Sequence, residues 1–321
     1  MPPDNRCILG LDDIPREVRG CALTIGNFDG VHLGHQRIIQ AACSLAAVDN
    51  SAVVAMTFEP PPERVLHPEH RPQRIMPNGR KCCALLEAGA SFVVMAQANR
   101  QLLGMPPLDF IEEIIIRRFG ARHVVEGYDF HFGARRAGDV GMLGLLGCHY
   151  GFATHVVDPV MLDLPGGRQR ISSTLIRQLI SQGEVELARG CLGRPFTLYG
   201  PIVRGEQVGM SLGFPTANLE VTDQVLPGEG VYAGRASLGG EDASLSREFV
   251  AAISIGRKPT LGASDRLFVE AFLIGAGGEL YGRPMSLSFF SRLRGQTRFD
   301  NVEELKRQIA ADVRKTIELV K

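Results

Sequence analysis

Two histidines three residues apart, set among glycines, are the densest chemistry in this sequence: Gly26-Asn27-Phe28-Asp29-Gly30-Val31-His32-Leu33-Gly34-His35. A helix that starts at such a pair leaves backbone N–H groups unsatisfied and carries a partial positive charge, so an anion docks there readily. Residues three apart share one side of a helix, which lets both imidazoles reach the same anion. Gly26, Gly30 and Gly34 permit tight turning and close backbone approach. No serine or cysteine nucleophile adjoins the pair, so the pattern points to steadying of phosphates rather than attack on a carbonyl. The alternative is a glycine-rich turn that happens to carry two histidines.

The surrounding residues have to position this turn. An apolar run, Cys21 to Ile25, precedes it, and Arg37 to Ala47 follows with Ile38, Ala42 and Leu45 at helical spacing. Strand, turn, helix is the order in which a phosphate-binding loop is built. The alternation then continues: a strand over Ser51 to Phe58, a helix over Lys81 to Glu87, a strand over Ser91 to Met95, and an apolar helix over Leu108 to Phe119. Next come a strand over Arg122 to Val125, a helix from Val140, and a strand over Thr154 to Val157. Such a pattern implies a parallel sheet covered by helices, with ligands at the carboxyl ends of its strands. Two further runs fall where that ligand would lie. Glu126-Gly-Tyr-Asp129-Phe-His-Phe-Gly133 follows a strand, and Ile171-Ser172-Ser173-Thr-Leu-Ile-Arg177 offers Ser172 or Ser173 as a helix N-cap. Arg177 is expected in the first turn, where a guanidinium can clamp a phosphate with paired hydrogen bonds. A charged surface loop and a capped helix account for the two runs equally well when each is taken alone.

Together they do not stand alone. G-x-F-D-G-x-H-x-G-H resembles the signature of α/β nucleotidyltransferases, and its Phe-Asp-Gly form is most similar to that of the prokaryotic bifunctional riboflavin kinase/FMN adenylyltransferases, or FAD synthetases. G-Y-D-F-x-F-G and I-S-S-T-x-I-R resemble the second and third motifs of the same adenylyltransferase module, in the same order. The resemblance implies that His32 and His35 steady the phosphates of ATP, and that Arg177, Ser172 and Ser173 bind its pyrophosphate end. It further implies that Asn27, Phe28 and Asp129 line the flavin and nucleotide clefts, with Gly26, Asp29 and Gly34 in the same binding turn. One departure is visible: Thr57-Phe-Glu-Pro-Pro-Pro62 has Pro61 where the family has histidine, which removes an imidazole and a backbone donor.

Past a helix expected over Ser181 to Arg189 the periodicity changes. Short strands separated by glycines are expected over Phe196 to Val203, Gly230 to Leu238, Phe249 to Ile255, Leu267 to Ile274 and Pro284 to Leu293, the spacing of an antiparallel barrel or sandwich. A long helix from Val302 to Val320 closes the sequence, capped by Asp300 or Asn301, with Leu305, Ile309, Val313 and Ile317 as its apolar stripe. A domain boundary is expected near residues 183 to 193. Within Gly213-Phe214-Pro215-Thr216-Ala-Asn218-Leu219, Thr216 and Asn218 fall on one side of an extended chain. Their neutral oxygens either face solvent at a strand entry or join ATP phosphates around Mg²⁺, which takes few protein ligands. Glu270 shares a strand face with Phe268 and Phe272, as a solvated edge residue or as a base in partly apolar surroundings.

These two runs, with Gly230 to Ala233, Ile255 to Thr260 and Glu279 to Gly282, are similar to the riboflavin kinase module of the same enzymes. The resemblance implies that Thr216 and Asn218 bind Mg-ATP, that Gly213, Phe214, Pro215 and Arg294 belong to the nucleotide and flavin sites, and that Glu270 takes the proton of the riboflavin 5′-hydroxyl. This half departs more from the family: Met210 and Ser254 stand for Arg and Asn, Phe272 and Gly275 for His and Asp, and Gln296 for Glu.

Composition bounds the alternatives. The 321 residues suffice for two cores, and 45% hydrophobic with 22% charged residues indicates a soluble, folded chain. Lys plus Arg balances Asp plus Glu, 35 against 35, which denies nucleic acid its electrostatic footing as main partner. The first residues, Met1-Pro-Pro-Asp-Asn-Arg, lead to no expectation of a signal peptide, and no run of ~18 apolar residues occurs, so no membrane partner is expected. The seven cysteines lack C-x-x-C spacing and read as reduced thiols of a cytoplasmic protein. The fold expected is α/β: a Rossmann-like nucleotidyltransferase domain over 1–183, then an antiparallel β-barrel kinase domain with a C-terminal helix over 184–321. The function expected is ATP-dependent phosphorylation of riboflavin to FMN, then adenylylation of FMN to FAD. An adenylyltransferase with a barrel that only holds flavin, and a non-catalytic flavin sensor, are the alternatives. Weak self-association is compatible with the sequence.

Overall fold

The computed structural model describes residues 5–205, 209, 212–239, 247–257 and 267–320. It divides into two compact units, residues 1–72 with 78–172, and residues 73–77 with 173–321.

The first unit is a six-stranded sheet in the order β1-β4-β3-β2-β5-β8, every neighbouring pair parallel. Its strands are β1 (Cys7–Leu9), β2 (Ala22–Ile25), β3 (Val53–Glu59), β4 (Phe92–Gln97), β5 (His123–Gly127) and β8 (Ala153–Val157). Val54, Ala55, Met56, Val93, Val94, Val124 and Val125 are fully or almost fully buried, the continuous apolar pattern of strands covered on both faces. The crossovers are α1 (Leu33–Asp49), α2 (Pro62–Leu66), α3 (Asn78–Glu87), α4 (Arg100–Leu103), α5 (Pro107–Phe110) running on into a π-helix (Ile111–Phe119), and α6 (Val140–Tyr150). Two small antiparallel pairs, β6 (His131–Phe132) with β7 (Gly138–Asp139) and β9 (Met161–Leu164) with β10 (Gly167–Arg170), complete it. The π winding of the expected helix over Leu108 to Phe119 left no mark in the apolar pattern. The buried face of α1 carries Ile39, Ala42 and Ala46. It is therefore turned by one residue at two positions from the expected Ile38, Ala42 and Leu45.

From β2 the chain builds outward through β3 on one side, and β5 joins β2 on the other. The sheet's direction of growth thus reverses between β2 and β5, the place where open α/β sheets leave a crevice at their carboxyl ends.

The second unit is a closed barrel of six antiparallel strands, β11-β12-β15-β14-β13-β16. They are β11 (Phe196–Val203), β12 (Thr216–Leu219), β13 (Gly230–Leu238), β14 (Arg247–Arg257), β15 (Leu267–Leu273) and β16 (Pro284–Arg294). Tyr232, Leu198, Ile253, Ala271 and Phe289 fill the interior, and closure leaves no sheet edge. The helix expected after Ser172 or Ser173 is α7 (Ser173–Gln182), and the one expected over Ser181 to Arg189 is α8 (Val185–Leu192), which starts later than expected because Gly183 adopts φ 82° between them. Residues 73–77 belong here because Arg74 exchanges backbone hydrogen bonds with Asp223 and Val225, while the buried Gln224 amide donates to the carbonyls of Ile75 and Thr197. The last helix, α9 (Val302–Leu319), is capped by Asn301, whose side chain accepts from Glu304 N at 2.9 Å. Its stripe also differs from the expected one. Asp312 and Thr316 are its buried residues and Ile317 is exposed.

Candidate active sites

In the first unit the chain leaves β2 through Gly26 and reaches α1 by way of three positive φ angles, Phe28 at 47°, Gly30 at 82° and Val31 at 38°. His32 is the N-cap of α1, and its Nδ1 accepts from His35 N at 3.4 Å. A ring nitrogen that accepts carries no hydrogen, so in the neutral ring the proton sits on Nε2. The two rings stack with centroids 3.6 Å apart, and Phe28, 2% exposed, meets His35 edge-on at 5.1 Å. A Cβ at Gly34 would lie 3.1 Å from the His32 ring, and one at Gly26 about 3.2 Å from Phe28. Those two glycines are bare because aromatic rings lie over them.

Asn27 is exposed, and its carbonyl accepts from Thr57 Oγ1 at 3.1 Å and from Lys81 Nζ at 3.3 Å. Lys81, buried on α3, also donates to Thr57 Oγ1 at 3.0 Å. It thereby ties the turn after β2 to the end of β3. The sequence reading gave Lys81 no role; a lysine on the inward face of an amphipathic helix was the available signal. Pro61 is the N-cap residue of α2, a place for which proline needs no backbone donor.

A cavity of about 600 Å³ opens beside this turn. Gly26, Asn27 and Asp129 line it together with Phe58, Leu102 and Arg136. Phe28, expected in the lining, instead packs beneath His35. Asp129 is held by Arg170, whose Nη1 donates to Asp129 Oδ2 and to Tyr128 Oη, each at 2.6 Å. Burial opposes the charge of Arg170, but Asp129 and Tyr128 outweigh it and raise the guanidinium above its ordinary pKa. Arg170 was likewise not singled out from sequence, because it is distant along the chain from Asp129. Asp29 is half-buried in the turn. Ser172 closes the first unit, and Ser173 and Arg177 belong to the second. Arg177 is the fifth residue of α7, one turn later than expected, and its Nε donates to Gln73 O at 2.8 Å.

In the barrel, strand register does the assembling. Asn218 on β12 stands opposite Glu270 on β15, which stands opposite Ser254 on β14; Thr216 stands opposite Phe272. Thr216, Asn218 and Glu270 are half-buried, and Val269, Ala271 and Leu273 take the interior positions. Glu270 thus lies between Phe268 and Phe272 on the outward face, as the alternation requires. Gly213 has φ 86°, and Phe214 meets Phe272 edge-on at 5.4 Å, so Phe272 has a packing partner where the family has histidine. A Cβ at Gly205 would overlap the Asn218 amide, and one at Gly209 would lie 3.3 Å from Thr216 Oγ1. Backbone passes close over both oxygens. A second cavity, about 180 Å³, is lined by Arg204, Gly205, Asn218, Glu220 and Phe268.

Arg294 is committed elsewhere: its Nε and Nη2 bind Asp312 Oδ2 at 3.1 and 2.8 Å, joining β16 to α9. Gln296 and Ser254, both departures from the family, bond to each other, Nε2 to Oγ at 3.0 Å. Gly275 has φ 80°, a conformation that favours glycine over the family's aspartate. Met210 lies outside the described residues. Among the described residues no cluster of three or more His, Cys, Asp or Glu could hold a metal ion.

The family model for FAD synthetase matches residues 14–175, and that for riboflavin kinase matches residues 192–320. The chain belongs to the bifunctional riboflavin kinase/FMN adenylyltransferase family. It is a transferase with an FAD synthetase domain and a riboflavin kinase domain. The bifunctional riboflavin kinase/FMN adenylyltransferase of Escherichia coli (strain K12) is 35% identical over 96% of this chain and 94% of its own length. That of Pseudomonas fluorescens is 33% identical over 95% of each, and that of Haemophilus influenzae 32% over 95% and 96%. A solved structure described as a macrolide-efflux protein from Streptococcus pneumoniae superposes with a TM-score of 0.84, at 27% identity, over 97% of this chain and 98% of that one. Among the described residues here, no helix is long and apolar enough to cross a membrane.

Proposed function

We propose that the two activities of the family run on separate sets of residues, with the functional boundary near residues 183 to 193. In the barrel, the riboflavin 5′-hydroxyl attacks the γ-phosphorus of ATP, ADP leaves, and Glu270 takes the hydroxyl proton. Asn218 and Thr216 hold the nucleotide phosphates and, with them, Mg²⁺; their neutral oxygens suit an ion that keeps most of its waters. Bound there, Mg²⁺ supplies charge neutralisation for the phosphates. On the N-terminal side of that boundary, a phosphate oxygen of FMN attacks the α-phosphorus of a second ATP and pyrophosphate leaves. His32 and His35 stabilise the charge that develops, Ser172, Ser173 and Arg177 bind the pyrophosphate end, and Gly26, Asn27 and Asp129 border the flavin. Both steps rest on positioning and electrostatics, without a covalent enzyme intermediate.

The observation that carries this reading is the cavity of about 600 Å³ bordered by Gly26, Asn27 and Asp129, beside the stacked histidines where the sheet changes direction. Thiols at all seven cysteines favour a reducing, cytoplasmic setting. Separating the products of two incubations tests the reading: riboflavin with Mg-ATP should yield FMN and FAD, and FMN with Mg-ATP should yield FAD and pyrophosphate. Absence of FAD in the second incubation would refute the assignment of the α/β unit.

A further inference from the structure

β2 and β5 run side by side yet pair only twice, Ala22 with His123 and Leu23 with Val124. Each strand continues its ladder on its other side, β2 with β3 through Ile25 and Met56, and β5 with β8 through Gly127 and Val157. The separation is therefore confined to the interval between β2 and β5. Gly26 N turns to Met56 O, so Ile25 N is the donor that faces β5. Its acceptor is a side chain: Glu126 Oε1 receives Ile25 N–H at 2.6 Å.

A carboxyl group has taken the place of a ladder carbonyl. Glu126 is 2% exposed, and burial pushes its carboxyl well above the usual carboxylate range, against the opposing bond from Ile25. The neighbouring Thr24 is wholly buried, and its Oγ1 has no hydrogen-bond partner among the described residues. Both are marks of a sheet forced open, because a closed ladder satisfies itself with main-chain groups alone. The residues just beyond the opening are Gly26 and Asn27 on one strand and Asp129 on the other, and all three line the large cavity.

We propose that Glu126 is a positioning residue that props β2 and β5 apart and so sets the width of the flavin-binding cleft between the Gly26–Asn27 turn and Asp129. This rests on the assignment of FMN adenylylation to the α/β unit. Glu126 touches neither substrate nor reacting atoms; it acts through the backbone of Ile25 and the turn that follows. A carboxamide can do the same work, since it offers the same carbonyl oxygen to Ile25 N–H. A valine cannot, and as a strand former it favours closure of the gap.

Full-length Glu126→Gln and Glu126→Val separate these cases, with FMN affinity read from flavin fluorescence, KM and kcat from FAD formation, and riboflavin phosphorylation as an internal control. The Gln variant should keep FMN affinity within about threefold. The Val variant should lose about tenfold or more in FMN affinity and KM, the scale of one buried donor left unsatisfied. Its kcat should change less, and its riboflavin phosphorylation should not change. If Val does not fold, Glu126→Ala removes the acceptor without branching and is read the same way. Wild-type affinity in the Val or Ala variant, or equal loss in Gln and Val, overturns the proposal. Failure of the wild-type chain to make FAD from FMN would instead overturn the reading on which it rests.

Discussion

In the α/β unit the side chains proposed to act on the phosphates hold each other. His32 caps its own helix through Nδ1 and stacks on His35, and Gly34 and Gly26 are bare because rings cover them. In the barrel, Asn218, Glu270 and Ser254 share a row only because three strands keep register. Chemistry and scaffold are the same atoms in the first site and different atoms in the second. In the turn from Gly26 to His35, Gly26, Phe28, His32, Gly34 and His35 pack against one another, so a change at one of them moves another. The barrel face tolerates Ser254, Phe272, Gly275 and Gln296, because register survives and each newcomer finds local company or a backbone conformation that suits it.

The comparison is most exposed at Glu270. General-base assistance is worth about 10²–10⁴ in rate, and a glutamine at 270 keeps the size of the side chain while removing its ability to take a proton. Glu270→Gln should therefore lower FMN formation from riboflavin by roughly that factor, leave riboflavin binding within about threefold, and spare FAD formation from supplied FMN. Equal, substantial FMN production by wild type and variant would strip Glu270 of the role.

The α/β site should not separate so cleanly, and His32 tests this. His32→Ala removes both a cap and a phosphate donor; His32→Asn restores the cap, since asparagine is among the best N-cap residues. Ala should cost about 1 kcal/mol of stability and Asn nearly none. Both should lower FAD formation about 10- to 150-fold, the worth of one charge-assisted hydrogen bond made mainly in the transition state. Measured together, melting curves and FAD production decide the matter: recovery of activity by Asn would reduce His32 to a cap.

The same contrast governs what could be seen in the sequence. Five of the six strands of the parallel sheet, five of the six barrel strands and the three motifs before residue 178 were legible, because alternation and glycine spacing follow from covalent geometry and burial; β1 and β12, of three and four residues, are too short to show a period. Helix faces were read less well. α9 buries Asp312 and Thr316 rather than a purely apolar stripe, because Arg294 on β16 needs a carboxylate partner there. Hydropathy counts Asp312 as a surface residue; only the long-range pair makes it a core one. Lys81, Arg170 and Glu126 were missed for the same reason, as each owes its place to a contact 24 or more residues away. The break between α7 and α8 turns on Gly183 in the left-handed region, which a polar lead-in concealed.

The smallest expected effect lies in the pair that replaced the family's usual Asn and Glu. Gln296 Nε2 donates to Ser254 Oγ at 3.0 Å and to Ile255 O at 2.8 Å. A glutamate at 296 could accept from the Ser254 hydroxyl but would have no hydrogen for the Ile255 carbonyl and would set a carboxylate against it. Gln296→Glu alone should therefore destabilise the chain by about 1–2 kcal/mol. Ser254→Asn supplies an N–H₂ donor to that carboxylate, so the double variant Ser254→Asn/Gln296→Glu should recover about 0.5–1.5 kcal/mol beyond the sum of the two single changes. Thermal or urea unfolding of the four chains gives the coupling directly. Strictly additive effects would mean that the two positions drifted independently, and that the barrel tolerates its departures by indifference rather than by new partnerships. A positive coupling with FMN formation unchanged would locate the exchange in the scaffold, where a site held by register can absorb it.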